Sequence, residues 1–357
     1  MIVFIIILIC WGGLTCISDK KLRLWGIIIS AFFAFLAFHV NVLPESDLFR
    51  HMAEIDYYRE YGFDFAFSLN RLGKNPLTAV LFWLFSFLPD NRWMPAIMTF
   101  IFYILIYNLA VNVYIDRQFS RSWLRQCLLF SFICVSFFYM VNTIRMWVVF
   151  AIFAFCFYEE TIRQRKKIFC WCIYLILVFF HYAATILLIC RTVVALFSGA
   201  QSVLKKVLMF VMAIVGGYLI MQTSLGTTIQ EKVLNYSMYT TRGTWQTLDC
   251  WMKIIASIII IGYGLLNNRT YKGKLVYASL CILIFFIVLV QFSNYQITLR
   301  YSDCLIILSI AMFPERVRKM HEPITVISCP QAVMLFTCLC HILYVLFFDY
   351  RYLTFNF

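Results

Sequence analysis

Residues 77–88 read LTAVLFWLFSFL, an apolar run that opens after Asn75-Pro76 and closes at Pro89-Asp90. Asn-Pro is a helix-start signal and the following proline a stop. A helix over this run rises only about 18 Å, well short of the ~30 Å hydrocarbon layer of a bilayer. Whether the run crosses decides the topology of everything after it. With 77–88 kept to one side, the loops at 18–23, 116–126, 159–167, 199–206, 267–274 and 314–322 share one face and hold 18 of the 30 Lys and Arg residues. If it crossed, the later loops would invert and most of those bases would face outward, against the positive-inside rule. We therefore read 77–88 as a re-entrant or interfacial helix, with both chain ends outside.

Outward from this run, the chain is a series of apolar blocks separated by short polar breaks. Spans are expected near 2–17, 24–43, 93–115, 127–141, 146–158, 168–180, 182–198, 207–222, 249–266, 275–292, 298–313 and 324–348. Composition agrees: 63% of residues are hydrophobic, only 13% are charged, and mean hydropathy is +0.84. A water-soluble domain carries about a quarter charged residues. The polar breaks are too short to hold a soluble domain. The expected fold is an all-α polytopic integral membrane protein of about 12 transmembrane helices plus the re-entrant or interfacial helix. Residues 1–357 form a single membrane domain, with outer loops at about 44–76 and 223–248. Several spans are short, so the bilayer is expected to thin around them.

Two places need a choice. Residues 2–17 end near Leu14-Thr15-Cys16, which looks faintly like a lipoprotein cleavage site. No basic segment precedes them, whereas Lys20, Lys21 and Arg23 follow, so we read a first transmembrane helix. The stretch Ile168–Ser198 has no Pro or Gly to break it. One span to Cys190 would leave Arg191 at the far end and send the later basic loops outward. Two short segments meeting near His181 keep those loops inside but embed Arg191 in a helix. We adopt the two segments.

The net charge of +13 sits in brief interhelical loops, where the positive-inside rule accounts for it and no nucleic acid is implied. Most of the 14 cysteines lie in apolar blocks and act as small hydrophobes. Cys338-Leu339-Cys340-His341 lacks the two-residue gap of a CxxCH site, and residues two apart diverge around a helix, so we read it as core packing and expect no metal centre.

Under this topology the outer face collects the polar residues. The first outer loop, Pro44–Pro76, reads PESDLFRHMAEIDYYREYGFDFAFSLNRLGKNP, with Asp47, Arg50, His51, Asp56, Arg59 and Arg71. Asn142 and Arg145 mark the turn between two spans, His181 and Arg300 lie toward the same side, and the loop at 223–248 adds Glu231, Lys232 and Arg242. Ionisable groups at membrane depth tend to face a cavity or a partner. Arginines from separate helices, beside one or two carboxylates, suit a pyrophosphate, because guanidinium forks match phosphate oxygens and keep their charge. Asp47 would then act as a base, or hold a cation, toward a sugar hydroxyl. The plainer readings are that Arg145 and Arg300 snorkel to the interface. In the same vein, Arg50 and Glu54 would make an i,i+4 pair, and Asp47 would cap a short loop helix.

Four stretches, in order, resemble the EpsG family, a Wzy-like group of bacterial exopolysaccharide and O-antigen polymerases. They are Ser46-Asp47-Leu48-Phe49-Arg50-His51 with Tyr57-Tyr58; Asn142-Thr143-Ile144-Arg145-Met146-Trp147; Phe179-Phe180-His181-Tyr182-Ala183-Ala184; and Leu299-Arg300-Tyr301. The family usually has Gln where this chain has Met146. The resemblance implies a GT-C-like glycosyltransferase of the bacterial inner membrane that joins undecaprenyl-pyrophosphate-linked repeat units on the outer face, alongside other polysaccharide-assembly proteins. It implies Asp47 and His181 as catalytic residues, and Arg50, His51, Arg71, Asn142, Arg145, Arg300 and Tyr301 as substrate-binding ones. It requires no cofactor, with a divalent cation as the one alternative. The rival functions are a membrane O-acyltransferase acting on surface glycan, a polysaccharide transporter or flippase, and a structural membrane subunit. A flippase predicts internal repeats, and none is seen in the sequence.

Overall fold

The computed structural model describes residues 2–42, 44, 46–68, 75–198, 244–267, 274–290, 295–313 and 329–349, and their regular structure is helical. The expected span at 207–222, the outer loop from 223 to 243, and the loops at 199–206, 268–273 and 314–322 lie outside these residues. So do Arg71, Glu231, Lys232 and Arg242.

The first helices are α1 (Ile2–Gly13), α2 (Leu22–Phe38), α3 (Asp47–Tyr61), α4 (Phe65–Ser68), α5 (Pro76–Ser86) and α6 (Trp93–Arg117). The frame is the antiparallel pair of α2 and α6. At one end Asp19, just before α2, accepts from Tyr114 at 3.0 Å and pairs with Arg121 beyond α6. Midway, Phe33 stacks on Tyr103 with centroids 3.8 Å apart, and Gly26 lets the Tyr107 ring close in. At the other end Phe38 meets Trp93 at 5.1 Å, and the Arg92 guanidinium lies 4.8 Å over the Phe38 ring. Both ends of the pair are therefore fixed, and the chain from His39 to Arg92 leaves and returns at one end. The run at 77–88, which forms α5, does not carry it to the other.

Among the described residues, three helical stretches are long and apolar enough to cross a membrane: Asp19–Phe38, Trp93–Arg117 and Thr247–Leu266. Others, including Ile2–Gly13 and Lys167–Phe180, are apolar but shorter. Their outward faces are greasy. Ile5, Leu8 and Ile9 on α1, Leu24, Ile27, Phe32 and Phe35 on α2, and Leu335, Phe336 and Leu339 near the C-terminal end are all exposed. Apolar patches this continuous are avoided on proteins surrounded by water. The fold is all-helical and compatible with a helical membrane protein.

Then come α7 (Arg121–Cys134), α8 (Phe137–Asn142), α9 (Ile144–Thr161), α10 (Lys167–Phe180) and α11 (Ala183–Ser198). The expected span at 127–141 breaks after Cys134, where Val135 is extended and Ser136 precedes α8. Likewise α10 stops at Phe180, because His181 takes an extended conformation (φ −155°, ψ 128°) without any Pro or Gly. Thus the stretch 168–198 is two helices meeting at His181. The remaining helices are α12 (Thr244–Asn267), α13 (Lys274–Val290), α14 (Tyr295–Ser309) and α15 (Cys329–Tyr344).

Candidate functional site

Helix α3 starts at a cap. Ser46 Oγ accepts from the Phe49 amide at 3.1 Å, filling one of the orphan donors of the first turn. Its buried residues Leu48, His51, Ile55 and Tyr58 recur at the three- and four-residue spacing of an amphipathic helix. They press α3 onto α5. Arg59 locks the contact by donating to the Ser86 and Leu88 carbonyls at 3.2 and 3.0 Å and to Asn91 Oδ1 at 2.7 Å. Two of these acceptors are carbonyls at the C-terminal end of α5, which lack intrahelical donors.

Contacts that begin at α5 link residues from several separate helices. Arg145, at the start of α9, donates to Thr78 Oγ1 at 3.3 Å and lies 5.6 Å over the Phe82 ring. Thr78 donates to the Phe180 carbonyl at 2.7 Å, which ties α5 to the break at His181. His51 also packs against Phe82, with ring centroids 5.3 Å apart. His181 stacks on Tyr182 at 4.5 Å and its Nδ1 accepts from the Ala183 amide at 3.1 Å. Arg300 donates to the Tyr182 hydroxyl at 3.2 Å, and Tyr301 donates to the Ala183 carbonyl at 2.9 Å. Arg145 and Arg300 each donate to a hydroxyl from another part of the chain.

Other expected members sit apart. Asp47 pairs with Arg50 one turn away at the exposed start of α3. The helix cap is Ser46, not Asp47, and the partner of Arg50 is Asp47, not Glu54, because the first turn places Asp47 closer. Asn142 donates to its own helix, to the Phe138 carbonyl at 3.2 Å. Arg71 lies outside the described residues. Beside the cluster, in the loop after α5, Arg92 grips Asp90 with bonds of 2.9 and 2.5 Å and holds that carboxyl below the usual range.

The opposite end is built from paired charges. Asp116 accepts from Arg163 at 2.5 and 2.9 Å and from Tyr158 at 2.8 Å. Arg191, the charge that the two-segment reading embeds in a helix, makes a two-pronged contact with Glu160 at 2.6 and 3.0 Å. Trp171 and Tyr174 also donate to Glu160, each at 3.0 Å. A bidentate pair whose carboxylate accepts two further hydrogen bonds is how an arginine becomes tolerable in a buried helix.

A second polar cluster escaped the sequence reading. Lys253 on α12 sits 3.0 Å from Asp249 Oδ2 and 2.7 Å from Asp303 Oδ1 on α14. Asp249 Oδ1 is 2.7 Å from Nδ1 of His341 on α15. All four side chains are at most 4% exposed. Reading residues 338–341 as core packing is therefore right for buried Cys338 and wrong for His341, which completes an ionic network across three helices. The signal was present in the sequence: Asp249 and Lys253 stand four apart at the start of an apolar span, and Asp303 is a lone carboxylate inside another. Among the described residues, no three His, Cys, Asp or Glu side chains are grouped to hold a metal ion.

No protein-family model, curated protein or solved structure matches this chain.

Proposed function

We propose that the chain is a multi-pass, GT-C-like enzyme of the bacterial inner membrane, a polysaccharide polymerase similar to the EpsG family. It joins undecaprenyl-pyrophosphate-linked repeat units on the outer face. The observation that supports this most is the chain of contacts that runs from Arg145 through Thr78 on α5 to the break at Phe180–His181, and from Tyr182 beside that break to Arg300. An interfacial helix flanked by fixed guanidinium groups suits a ligand whose charged head lies at membrane depth and whose tail lies in lipid.

In this reading Arg145 and Arg300 hold the pyrophosphate, with Arg71 as a further candidate, and His181 supports them or delivers a proton beside it. The hydroxyl at the non-reducing end of an incoming repeat attacks the anomeric carbon of the growing glycan. The bond to pyrophosphate breaks, and the hydroxyl proton passes to Asp47 once its contact with Arg50 opens. Undecaprenyl pyrophosphate leaves with the bonding electrons, where the arginines stabilise the developing charge.

The test is glycan size in a deletion strain complemented with wild type, Arg145→Ala or Asp47→Asn, with membrane levels of each protein measured. Loss of long chains and build-up of a single lipid-linked repeat, restored by wild type alone, is expected. Normal chain lengths in the deletion strain would overturn the reading; normal-length glycan lacking acyl groups would point to acyl transfer.

A further inference from the structure

The buried network of Asp249, Lys253, Asp303 and His341 has no part in the chemistry above, yet its charges do not balance as drawn. Two carboxylates face one ammonium, and a net charge in a low-dielectric interior is strongly disfavoured. One more proton makes the group neutral. Asp303 and His341 are the two groups that could take it; the Asp303 carboxylate already lies 2.7 Å from the Lys253 ammonium, which favours its ionised form and leaves His341. Ionised Asp249 only accepts hydrogen bonds, so His341 Nδ1, 2.7 Å away, carries the hydrogen in the neutral tautomer. Nε2 then bears a bare lone pair. It is buried and meets no hydrogen-bond partner among the described residues.

His341 also lines a cavity of about 90 Å³ between α1, the α7–α8 break and α15, with Val3, Ile7, Phe132, Ser136 and Leu346 among its walls. A water occupies about 30 Å³ in the liquid, so there is room for roughly three. Ser136 supplies polar surface along an otherwise apolar wall, and the His341 ring borders it with Nε2 closed off in this arrangement.

We propose that Asp249, Lys253, Asp303 and His341 form a proton-binding site inside the helix bundle, filled and emptied through the cavity that His341 lines. A proton from cavity water binds Nε2, the imidazolium keeps its Nδ1–H on Asp249, and the four groups become neutral together. Release returns the proton to water and leaves the bare lone pair. The titratable neighbours are Cys134 on α7, Cys250 on α12, Cys281 on α13, Cys304 on α14, and Cys338, Cys340 and Tyr344 on α15. None is an acid or base that is ordinarily charged at neutral pH. Helix α14 carries Asp303 here and Arg300 at the first cluster, so the two sites share one rigid element.

The experiment uses the full chain, labelled with 15N-histidine and held in lipid nanodiscs. Nitrogen NMR separates a protonated ring nitrogen from a bare one. The His341 signals are those lost in His341→Gln; if that variant does not insert, single Gln variants of His39, His51, His181 and His321 assign them by elimination. The expected result is a bare Nε2 at high pH that gains a proton reversibly as pH falls, with Nδ1 protonated throughout. Ser136→Leu, which narrows the cavity, is expected to slow deuterium exchange at His341 by about tenfold or more by excluding water. A ring that holds one state across the histidine range, or exchange unchanged by the plug, would overturn the proposal. None of these readouts depends on glycan turnover.

Discussion

Asp19 and Arg121, 102 residues apart in the chain, form an ion pair that closes one end of the α2–α6 pair. The same end gathers Asp116 with Arg163. Three of the basic loops assigned to one face by charge counting are thus joined by direct contacts, with α5 at the far end.

Single cysteines at Asp19, Arg121 and Arg163, in a cysteine-free background, are expected to react with an impermeant thiol reagent only from the cytoplasmic side. Cysteines at Asp47 and Asp90 are expected to react from the other side only. Asp19 and Arg121 labelling from opposite sides would mean that 77–88 crosses the bilayer.

Gly26 faces Tyr107 so closely that an added Cβ would lie 2.3 Å from its ring, and Tyr107 is wholly buried. Gly26→Ala is expected to destabilise the fold by about 1–3 kcal/mol through overpacking. Thermal unfolding in detergent reads this, and Tyr107→Leu in the same chain should recover part of the loss.

Arg191→Leu leaves Glu160 buried beside Trp171 and Tyr174 without its guanidinium. Removing one partner of such a pair costs about 3–5 kcal/mol, whereas removing both with apolar replacements is near neutral. The double variant Glu160→Leu/Arg191→Leu is therefore expected to unfold later than the single one. A double variant no better than the single would show that Glu160 matters for something other than the pair.

The Asp90 carboxyl is held below its ordinary range by its bond to Arg92. Because the folded value is lowered, the stabilisation is present above the unfolded carboxylate value of about 3.9 and is lost as pH falls through the folded one. At this partly exposed site it amounts to about 1 kcal/mol or less. Wild type and Asp90→Asn should differ in melting temperature near neutral pH and converge in acid.

The helical, membrane-compatible architecture was legible from the apolar blocks, and the shortness of the helix at 77–88 from the Asn75-Pro76 and Pro89-Asp90 that bound it. The break at His181 was legible only through the count of loop charges, since no Pro or Gly marks it. The break at Val135–Ser136 left no signal, because Ser131, Ser136 and Tyr139 scatter along an apolar run that holds no Pro or Gly. At the first cluster, arginine type and position pointed to Arg145 and Arg300, but their fixing hydroxyls, Thr78 and Tyr182, are ordinary residues that only packing brings close. Asp47 resembled a site residue for a reason that also makes it the first acid of a capped helix. The Lys253 network was missed because His341 was read with its sequence neighbours, while its partners stand 38 to 92 positions away.

The central claim is that the cluster around α5 transfers glycan from a lipid pyrophosphate. Its most direct measurement supplies purified full-length protein, in nanodiscs, with lipid-linked repeats extracted from the deletion strain, and reads product length on a gel. Wild type is expected to build a ladder of longer lipid-linked chains. Arg145→Ala, folded to the same melting temperature within error, should lose about 100-fold or more of that activity, the scale of removing a charge-stabilising donor. A single repeat left unchanged by wild type, or a full ladder from Arg145→Ala, would contradict the account.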